Sequence, residues 1–422
     1  MRSFYPAAGA NSIRRVKVLV VGSGGREHAL AWKLAQNPRL TELHAAPGNP
    51  GIAGLGPCHP VRADDGEGLL ALARALGIDL VVIGPEAPLV SGVADALRHG
   101  GVAVFGPSAA AARIEGSKRF AKEVLQAAGV PTAEGLAVAR PPCVVKADGL
   151  AAGKGVFVCR TQDELDAALR SVSGLGDDFV VEELLGGDEL SVFAICDGVR
   201  ALGLPPARDF KRAFDGDTGP NTGGMGAFSP VPLLGLELAE LVETVHEPVL
   251  RELARRDAPF IGLLYAGLML TEAGPRVLEF NCRFGDPETQ AIVPGAEGDL
   301  LGALAAAAAG DLGDAAIAAS DEASVTVVLA ARDYPASGDI GSPITGIAEA
   351  EADGAIVFHA GTALRGDQLV TNGGRILNVS ATGSTLAEAR LRAYSAAERI
   401  AFDGVRFRTD VALEAANGAP VA

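Results

Sequence analysis

The sequence has no long uninterrupted apolar segment, although hydrophobic residues make up 48% of its 422 residues. Gly, Pro and charged residues interrupt every apolar run below membrane-spanning length, so we expect no membrane partner. The first residues also lack the apolar middle of a signal peptide, and we expect residues 1–15 to be a disordered extension. The remaining length suits two to four domains, each with its own core.

Cysteine and basic residues are both scarce. The five cysteines are widely spread and form no CxxC motif, so the sequence shows no recognisable zinc or disulfide framework. This usage fits a reducing cytoplasm, where we expect the protein to be located. Lys and Arg number 36 against 52 Asp and Glu, and the net charge of −16 argues against nucleic acid as a partner. A local positive site for small phosphorylated substrates is still compatible with that charge.

Strand-like and helical patterns alternate over residues 16–115. The apolar runs VKVLVVG, LVVIG and VAVFG each end in Gly, and a helical spacing follows the first of them. This alternation predicts helical crossovers and a parallel sheet. Ligands of such sheets lie at the carboxyl ends of the strands, where Gly24, Pro85 and Pro107 are placed by the pattern.

The pattern changes near Ser117. The segment SKRFAKEVLQAAG predicts a helix that is capped by Ser117 and stopped by Gly129. Strand-like runs follow, including CVVKA, FVVEEL and LSVFAI, and then the hairpin formed by LLYAGLML and RVLEFN. A last region of apolar runs begins at Ala323, within which TNGG from Thr371 predicts a hairpin turn.

Two glycine-rich turns are candidate phosphate sites. In GSGGREHA, Glu27 replaces the third Gly of the dinucleotide fingerprint, so the turn suits a smaller phosphate on the helix N-terminus, or is only a tight turn. GLAAGKG is one residue shorter than a Walker loop and predicts a hairpin loop over phosphates, with Lys154 as its positive charge. Lys146, in the strand before it, needs an anionic partner if it is buried; otherwise it is an edge-strand lysine that reaches water.

Acidic residues follow two apolar strands. Glu182 and Glu183 could accept hydrogen bonds from an adenine amine and a ribose, although a solvated acidic turn is the simpler interpretation of that motif alone. In VLEFNCRFGDPE, Glu279 and Asn281 share one face of a strand, and Arg283 is near that face. Hard oxygen ligands suit Mg²⁺ that bridges ATP phosphates, and a guanidinium can bind a phosphate oxygen. The long polar loop DTGPNTGGMGAFSP predicts a further functional segment.

These motifs together resemble the glycinamide ribonucleotide synthetase family of the ATP-grasp superfamily. The resemblance runs from Val16 to about Ile400 and rests on GSGGREHALAWKL, APGNPG, IGPEAPLV, EGSKRFAK, VVKADGLAAGKGV, DTGPNTGGMGAFSP, EFNCRFGDPETQ, FHAGT and VTNGGRILNV. It implies an α/β fold with an N-terminal parallel α/β (Rossmann-like) domain, an ATP-grasp body with a mobile lid, and a small C-terminal α+β domain. The expected bounds are 16–116, 117–322 (lid about 132–190) and 323–422.

The resemblance also implies a reaction and its partners. The family joins glycine to 5-phosphoribosylamine through glycyl phosphate, converts ATP to ADP and phosphate, and thereby makes glycinamide ribonucleotide in purine biosynthesis. The implied cofactors are ATP and Mg²⁺ (or Mn²⁺). We expect a monomer whose partners are the two small-molecule substrates.

Residue roles carried over from the family fall into four sets. The ATP set is Lys118, Lys146, Lys154, Glu182, Glu183, Leu185 and Glu189. The metal set is Glu279 and Asn281, and the catalytic set is Arg283 and Lys154. The substrate set is Gly24, Gly25, Arg26, Asn49, Glu86, Asp217, Asn221, Gly223, Gly224, Arg283, Gly285 and Asp286.

The chain departs from the family pattern in three places. It has ARDFKR where the family usually has SQDHKR, so no role is implied for Arg208 or Phe210. The stretch before Cys143 is short, and so is the segment between Ser171 and Phe179; a clipped lid would loosen closure over ATP. Two other interpretations stay open, a different ATP-grasp ligase and a non-catalytic nucleotide-binding protein. The substrate-loop motifs argue against the first, and the intact charged residues of the site argue against the second.

Overall fold

The N-terminal region contains the predicted parallel sheet. A computed structural model of the chain describes residues 15–150, 155–174, 178–233 and 235–418; Lys154 and residues 1–14 of the expected extension lie outside them. The strands have the order β2-β1-β3-β4 and are all parallel, as the sequence predicts. The elements are β1 (Val16–Gly22), α1 (Gly25–Ala35), β2 (Leu40–Pro47), α2 (Pro50–Ala53), α3 (Gly66–Leu76), β3 (Leu80–Ile83), α4 (Glu86–Val90), α5 (Val93–His99), β4 (Val104–Phe105) and α6 (Ala109–Gly116).

A helix and a small antiparallel sheet follow. Ser117 caps the next helix by accepting a hydrogen bond from Phe120 N over 3.1 Å, and Gly129 ends it with a φ of 69°, which confirms both predicted helix signals. Three strands of order β6-β5-β7 form a sheet that buries its own apolar cluster against α8. The elements are α7 (Lys118–Ala128), β5 (Cys143–Ala147), β6 (Val156–Cys159), α8 (Gln162–Ser173) and β7 (Phe179–Glu183).

The centre of the molecule is an antiparallel sheet of eight strands, in the order β14-β13-β8-β9-β12-β17-β22-β19. It crosses the expected boundary at residue 322, because β12 pairs with β17. The elements before the boundary are β8 (Asp188–Asp197), β9 (Ala201–Asp209), β10 (Arg212–Phe214), β11 (Thr218–Asn221), β12 (Gly226–Ser229), α9 (Leu238–Leu241), a π-helical turn (Val242–His246), α10 (Glu247–Arg255), β13 (Ile261–Thr271), β14 (Gly274–Asn281), α11 (Glu288–Ile292), β15 (Ala296–Gly298), α12 (Leu300–Ala308) and β16 (Ile317–Ala319).

The C-terminal region completes that sheet and adds a second, three-stranded sheet of order β18-β21-β20. Its elements are β17 (Ala323–Ala330), β18 (Asp339–Pro343), α13 (Ile347–Ala352), β19 (Ile356–His359), β20 (Thr362–Arg365), β21 (Gln368–Gly373), β22 (Arg375–Gly383), α14 (Leu386–Ala397) and α15 (Leu413–Ala416).

The predicted TNGG hairpin is wrong. Strand β21 pairs with β18 and β20, whereas β22 pairs with β17 and β19, so the chain passes from one sheet to the other at this point. A Cβ atom on Gly361 would lie 2.9 Å from the Cα atom of Gly373, so the glycines permit a close backbone crossing instead of a tight turn. No helix in the described part of the chain is long and apolar enough to cross a membrane.

Candidate active site

The glycine turn after β1 holds a carboxylate of the chain itself. The backbone N–H of Gly24, the residue before α1, donates to Oε2 of Glu27 over 2.6 Å, and Nε of Arg26 donates to Oε1 over 2.6 Å. A Cβ atom on Gly22 or Gly84 would clash with the Glu27 side chain. The glycines therefore make room for the Glu27 side chain, whose carboxylate accepts the hydrogen bond of this N–H group. A substrate phosphate at this helix N-terminus stays a prediction.

A buried arginine, Arg26, and a half-buried one, Arg283, connect the N-terminal region with the end of β14. Arg26 donates from Nη1 to the carbonyl oxygen of Phe284 over 2.9 Å, so its guanidinium is held by contacts within the protein. Arg283 lies 3.3 Å from Glu86 and 3.4 Å from Glu115. Burial opposes the charge of Arg283, but Glu115 and Glu86 outweigh burial and raise its pKa. The structure thus brings together Arg26, Glu86 and Arg283, three residues of the predicted substrate set.

An ion pair joins the start of α7 to β14. Nζ of Lys118 lies 3.1 Å from Oε2 of Glu279. Lys118 is the main cause that lowers the pKa of Glu279 to about 2, and Lys146 and Lys211 add to it against the effect of burial. Burial opposes the charge of Lys118, but Glu279 and Glu115 outweigh burial and raise its pKa. Glu279 is therefore an anion throughout the neutral range.

The oxygens of Glu279 and Asn281 fit a hard divalent cation. Both residues lie in β14, two positions apart, and Oδ1 of Asn281 accepts a long hydrogen bond of 3.3 Å from Arg283. Carboxylate and amide oxygens are ligands that Mg²⁺ accepts. Among the described residues, no group of three or more His, Cys, Asp or Glu side chains is arranged to hold a metal ion. A cation here would therefore need further oxygens from phosphates and water.

Lys146 is buried and bridges the small sheet to β14. Its Nζ lies 2.7 Å from Glu182 and donates to the carbonyl oxygen of Leu278 over 2.8 Å. That carbonyl is accessible because β14 bulges: Leu268 pairs with Val277 and the preceding residue pairs with Glu279, which leaves Leu278 without a partner strand residue. The lysine is only 5% exposed and β5 is the central strand of its sheet, so the edge-strand alternative is wrong.

Both acidic residues of VVEELL are held in ion pairs. Glu182 is shared between Lys146 and Lys122, with Lys122 at 3.1 Å. Glu183 lies 2.7 Å from Arg276 and also accepts a hydrogen bond from the backbone of Glu134. The solvated acidic turn is therefore wrong. Neither carboxylate is free for adenine or ribose in this arrangement, and their expected direct contacts would require these pairs to open.

Beside Glu189, a buried acidic network appears that sequence reasoning missed. Lys211 pairs with Glu189 and, over 3.1 Å, with Asp209. Burial and Asp209 raise the pKa of Glu288 to about 7. The hydroxyl of Tyr265 is close to the carboxylates of Glu288 and Asp209. Burial raises the pKa of Tyr265, and these two carboxylates raise it further. Asp209 and Lys211 lie within ARDFKR at two positions where the chain keeps the residues of the family pattern SQDHKR, and that agreement is the sequence signal for them. Leu185 is half-buried in the connection from β7 to β8.

A cavity of about 490 Å³ lies between the N-terminal and C-terminal regions. The carbonyl oxygens of Gly223 and Asp286 each accept a hydrogen bond of 2.6 Å from Arg375, which ties the polar loop to the end of β14. Gly24 and Asn49 also line the cavity, as do Asp286 and Arg375. Arg375 lies within VTNGGRILNV, a segment that carries the family resemblance and predicts a turn, but the resemblance implies no role for Arg375 itself.

The remaining substrate candidates separate into two groups. Gly25 and Gly224 have no room for a Cβ atom, because side chains of other segments pack against them, and Gly285 has none because the side chain of Glu288 packs against it. Asp217 is paired with Arg408 over 2.6 Å, and its side chain is 63% exposed. Asn221 ends β11, in the two-stranded ribbon with β10. These contacts place Asp217 against the C-terminal segment, apart from the contacts of Arg283 and Glu279.

Three family descriptions match the chain in order along its length. Residues 16–115 match the N domain of phosphoribosylglycinamide synthetase, residues 116–289 its ATP-grasp (A) domain and residues 324–414 its C domain. The chain belongs to the phosphoribosylglycinamide synthetase family. This confirms the predicted family and fold class, and the ATP-grasp domain implies that this synthetase uses ATP.

Similar proteins cover nearly the whole synthetase chain. It is 53% identical over 418 residues to a phosphoribosylamine–glycine ligase of Streptomyces coelicolor, covering 95% of this chain and 100% of that protein. A phosphoribosylamine–glycine ligase of Mesorhizobium japonicum is 49% identical over 418 residues, with 95% and 98% covered. The crystal structure of the ligase of that name from Thermotoga maritima has a TM-score of 0.81 at 34% identity, covering 94% of this chain and 100% of that chain.

The fold also occurs in more distant proteins. N5-carboxyaminoimidazole ribonucleotide synthetase from Thermotoga maritima has a TM-score of 0.62 at 17% identity and covers 92% of this chain and 99% of that chain. At that identity the likeness concerns the fold alone.

Proposed function

We propose that this chain joins the carboxylate of glycine to the amine of 5-phosphoribosylamine, with conversion of ATP to ADP and phosphate. Relatives that share about half of its residues over their full length carry the name phosphoribosylamine–glycine ligase. The observation that carries the proposal is the charge arrangement at β14, where Lys118, Glu279 and Arg283 surround one strand end. A ligase that makes an acyl phosphate needs cations of this kind around the phosphoryl groups.

The reaction has two steps in this proposal. An oxygen of the glycine carboxylate attacks the γ-phosphorus of ATP, the bond to the bridging oxygen breaks, and ADP leaves. The amine nitrogen of phosphoribosylamine then attacks the acyl carbon of glycyl phosphate, phosphate leaves, and the nitrogen loses a proton. Both steps depend on positioning and on neutralising charge. Lys118, Lys146 and Arg283 supply positive charge. Lys154, which lies outside the described residues, is assigned the same role.

Glu279 and Asn281 would hold Mg²⁺ or Mn²⁺, which would neutralise phosphate charge when bound. The ionised state of Glu279 at neutral pH supports this assignment. Glu115, Glu86 and Asn281 hold the Arg283 guanidinium in place, so its donors are oriented before substrate binds. Such fixed donors avoid reorganisation during the reaction.

We assign the phosphoribosylamine phosphate to the cavity beside Arg375, in place of the turn that Glu27 occupies. The cavity is polar, contains Asn49 of the substrate set, and adjoins Asp286. The pKa of Asp286 is lowered. Burial raises it, but nearby positive charges, of which Arg375 has the largest effect, outweigh burial, so a cation faces this end of the site.

Release of ADP with each substrate omitted in turn tests the proposed reaction. Full turnover should require glycine, ATP and freshly made phosphoribosylamine together. Rapid ADP release with a different acid or amine, and none with this pair, would identify another ATP-grasp ligase. Tight ATP binding without ADP release under any of these conditions would support the non-catalytic interpretation.

Replacement of Arg375 tests the assigned phosphate position. Arg375→Met should raise the KM for phosphoribosylamine about ten- to hundredfold, because hydrogen bonds to charged groups contribute about 1.5–3 kcal/mol. The KM for ATP should change little. Arg332→Met is the matched control, since Arg332 pairs with Asp403 on the exposed surface of the same region. Equal changes in all three KM values would place Arg375 in the scaffold only.

A further inference from the structure

One buried carboxylate serves two lysines beside the proposed nucleotide site. Oε1 of Glu182 lies 3.1 Å from Nζ of Lys122, and Oε2 lies 2.7 Å from Nζ of Lys146. The three side chains are only 4–14% exposed. Lys122 belongs to none of the residue sets that the family resemblance implies.

Lys122 also binds the segment through which the chain enters the small sheet. Its Nζ donates to Oγ1 of Thr132 over 2.8 Å and to the carbonyl oxygen of Ala133. Thr132 in turn donates to the carbonyl oxygen of Val277 over 2.8 Å. A single ammonium therefore connects α7, the start of the expected lid and strand β7.

The charges of this triad do not cancel. Two ammonium groups face one carboxylate, and the neighbouring Glu183 is already paired with Arg276. Glu279, whose pKa Lys146 also lowers, has Lys118 as its ion-pair partner. Burial lowers the pKa of Lys122, although Glu182 opposes that effect. A positive charge left over in a buried position favours an anion nearby. Without Lys122, Glu182 would neutralise Lys146 fully.

We propose that Lys122 is a positioning residue for the nucleotide. Lys122 shares the carboxylate of Glu182 with Lys146, so that part of the Lys146 positive charge is left to bind an ATP phosphate. This inference rests on the proposed nucleotide site. Lys122 acts through Glu182 and Lys146 and is not assigned a contact with ATP. Its role differs from that of Lys118, whose partner is the proposed metal ligand Glu279.

Calorimetric titration of the full chain with MgATP tests the inference. Lys122→Met should raise the Kd for MgATP about tenfold or more, within the range for a lost interaction with a charged group. Lys122→Gln, which can still donate to Ala133 but carries no charge, should weaken binding similarly. Lys122→Arg should remain within about threefold of the unaltered protein, because it keeps the charge. The KM for glycine should stay within about twofold in all three variants.

Arg119→Met is the matched control. Arg119 is also on α7 and also reaches the expected lid, through an exposed pair with Asp178, so it should leave the Kd for MgATP unchanged. The inference fails if Lys122→Gln binds MgATP as the unaltered protein does, or if Arg119→Met weakens binding as much as Lys122→Gln. If Lys122→Met does not fold, the contrast between the Gln and Arg variants still decides. Absent ligase turnover in the unaltered protein would reject the proposed reaction, whereas these binding constants test Lys122 separately.

Discussion

Glu279 shows how one side chain acquires a function from its partners. Its carboxylate is largely enclosed, yet it remains ionised because Lys118 lies 3.1 Å away and outweighs the effect of burial. A carboxylate with so low a pKa can accept a divalent cation without first losing a proton. The same group in an apolar pocket would be neutral at pH 7 and would bind metal poorly.

Glu279→Gln should therefore abolish turnover that depends on the metal. The substitution removes an anionic oxygen from a hard cation and leaves Lys118 without its partner. The measurement is ADP release during titration with Mg²⁺, with Glu272→Gln, in the exposed turn of the same hairpin, as the control. Activity that persists with the unaltered Mg²⁺ dependence would remove Glu279 from the proposed metal site.

Glu288 has the opposite perturbation at the start of α11. It is buried, and burial together with Asp209 raises its pKa from 4.5 to about 7. Arg283 opposes this shift, while Asp209 has its own pKa raised by burial. The folded protein therefore binds a proton at Glu288 more tightly than the unfolded chain does.

The free energy of unfolding should therefore depend on pH through the protonation of Glu288. The contribution of Glu288 is fully present below pH 4.5 and is lost as the pH rises through about 7, because ionisation of the buried group becomes necessary. Denaturant titrations across this range should show a loss on the order of 3 kcal/mol that Glu288→Gln lacks. Glu247→Gln, at the start of the more exposed α10, should keep the slope of the unaltered protein. An unchanged slope in Glu288→Gln would assign this pH dependence to other groups.

At the scale of elements, the start of α7 illustrates how a local signal positions a charged residue. Ser117 accepts a hydrogen bond from Phe120 N, and its hydroxyl donates to Asp148 over 3.2 Å. Asp148 also accepts a hydrogen bond of 2.5 Å from the backbone of Lys118. The cap therefore fixes the first turn of the helix, from which Lys118 reaches Glu279.

Ser117→Ala should destabilise the protein by about 1 kcal/mol, the usual cost of a lost N-cap. It should also raise the KM for ATP, because the turn that carries Lys118 loosens. Thr385→Ala is the matched control, since Thr385 caps α14 through a similar bond of 3.2 Å to Glu388 N, and no residue assigned to ATP lies on that helix. Thermal unfolding and initial rates measure the two effects. A KM for ATP that rises equally in both variants would contradict the link between this cap and the site.

At the scale of the whole molecule, the C-terminal region continues the central sheet. Strand β17 pairs along its length with β22 and also with β12, and apolar residues of all three strands belong to one buried cluster. Arg375 of the same region ties the polar loop to Asp286. The expected boundary at residue 322 thus separates segments of sequence that share one core.

A chain that ends at Glu322 should therefore fail to form a stable ATP-grasp body. The truncation removes β17, β22 and β19, three of the eight central strands. It also exposes the edge of β12, which favours aggregation. Expression of residues 1–322, followed by size-exclusion chromatography and MgATP titration, measures this outcome. A monodisperse fragment that binds MgATP as the full chain does would show that the boundary is a true domain limit. Deletion of residues 1–14 is the control and should leave the MgATP affinity unchanged.

The sequence by itself determined the family, the parallel N-terminal sheet, the cap of α7 and the pairing of β13 with β14. These depend on local periodicity, on caps and on motifs that are contiguous in the chain. Glu279, Asn281 and Arg283 were found because three side chains in one short segment already share a face. Such features need no knowledge of distant neighbours.

Only the tertiary structure decided which partner each charged side chain has. Glu27 fills its own glycine turn, Glu182 is divided between two lysines, and Arg375 reaches the site from the opposite end of the chain. The sequence alone cannot show the last two of these pairings, because distant parts of the chain make them; Arg375 and Asp286, for example, are 89 positions apart. The pKa of a buried carboxylate follows from such neighbours, and so do the cavity and the sheet that joins the last region to the ATP-grasp body.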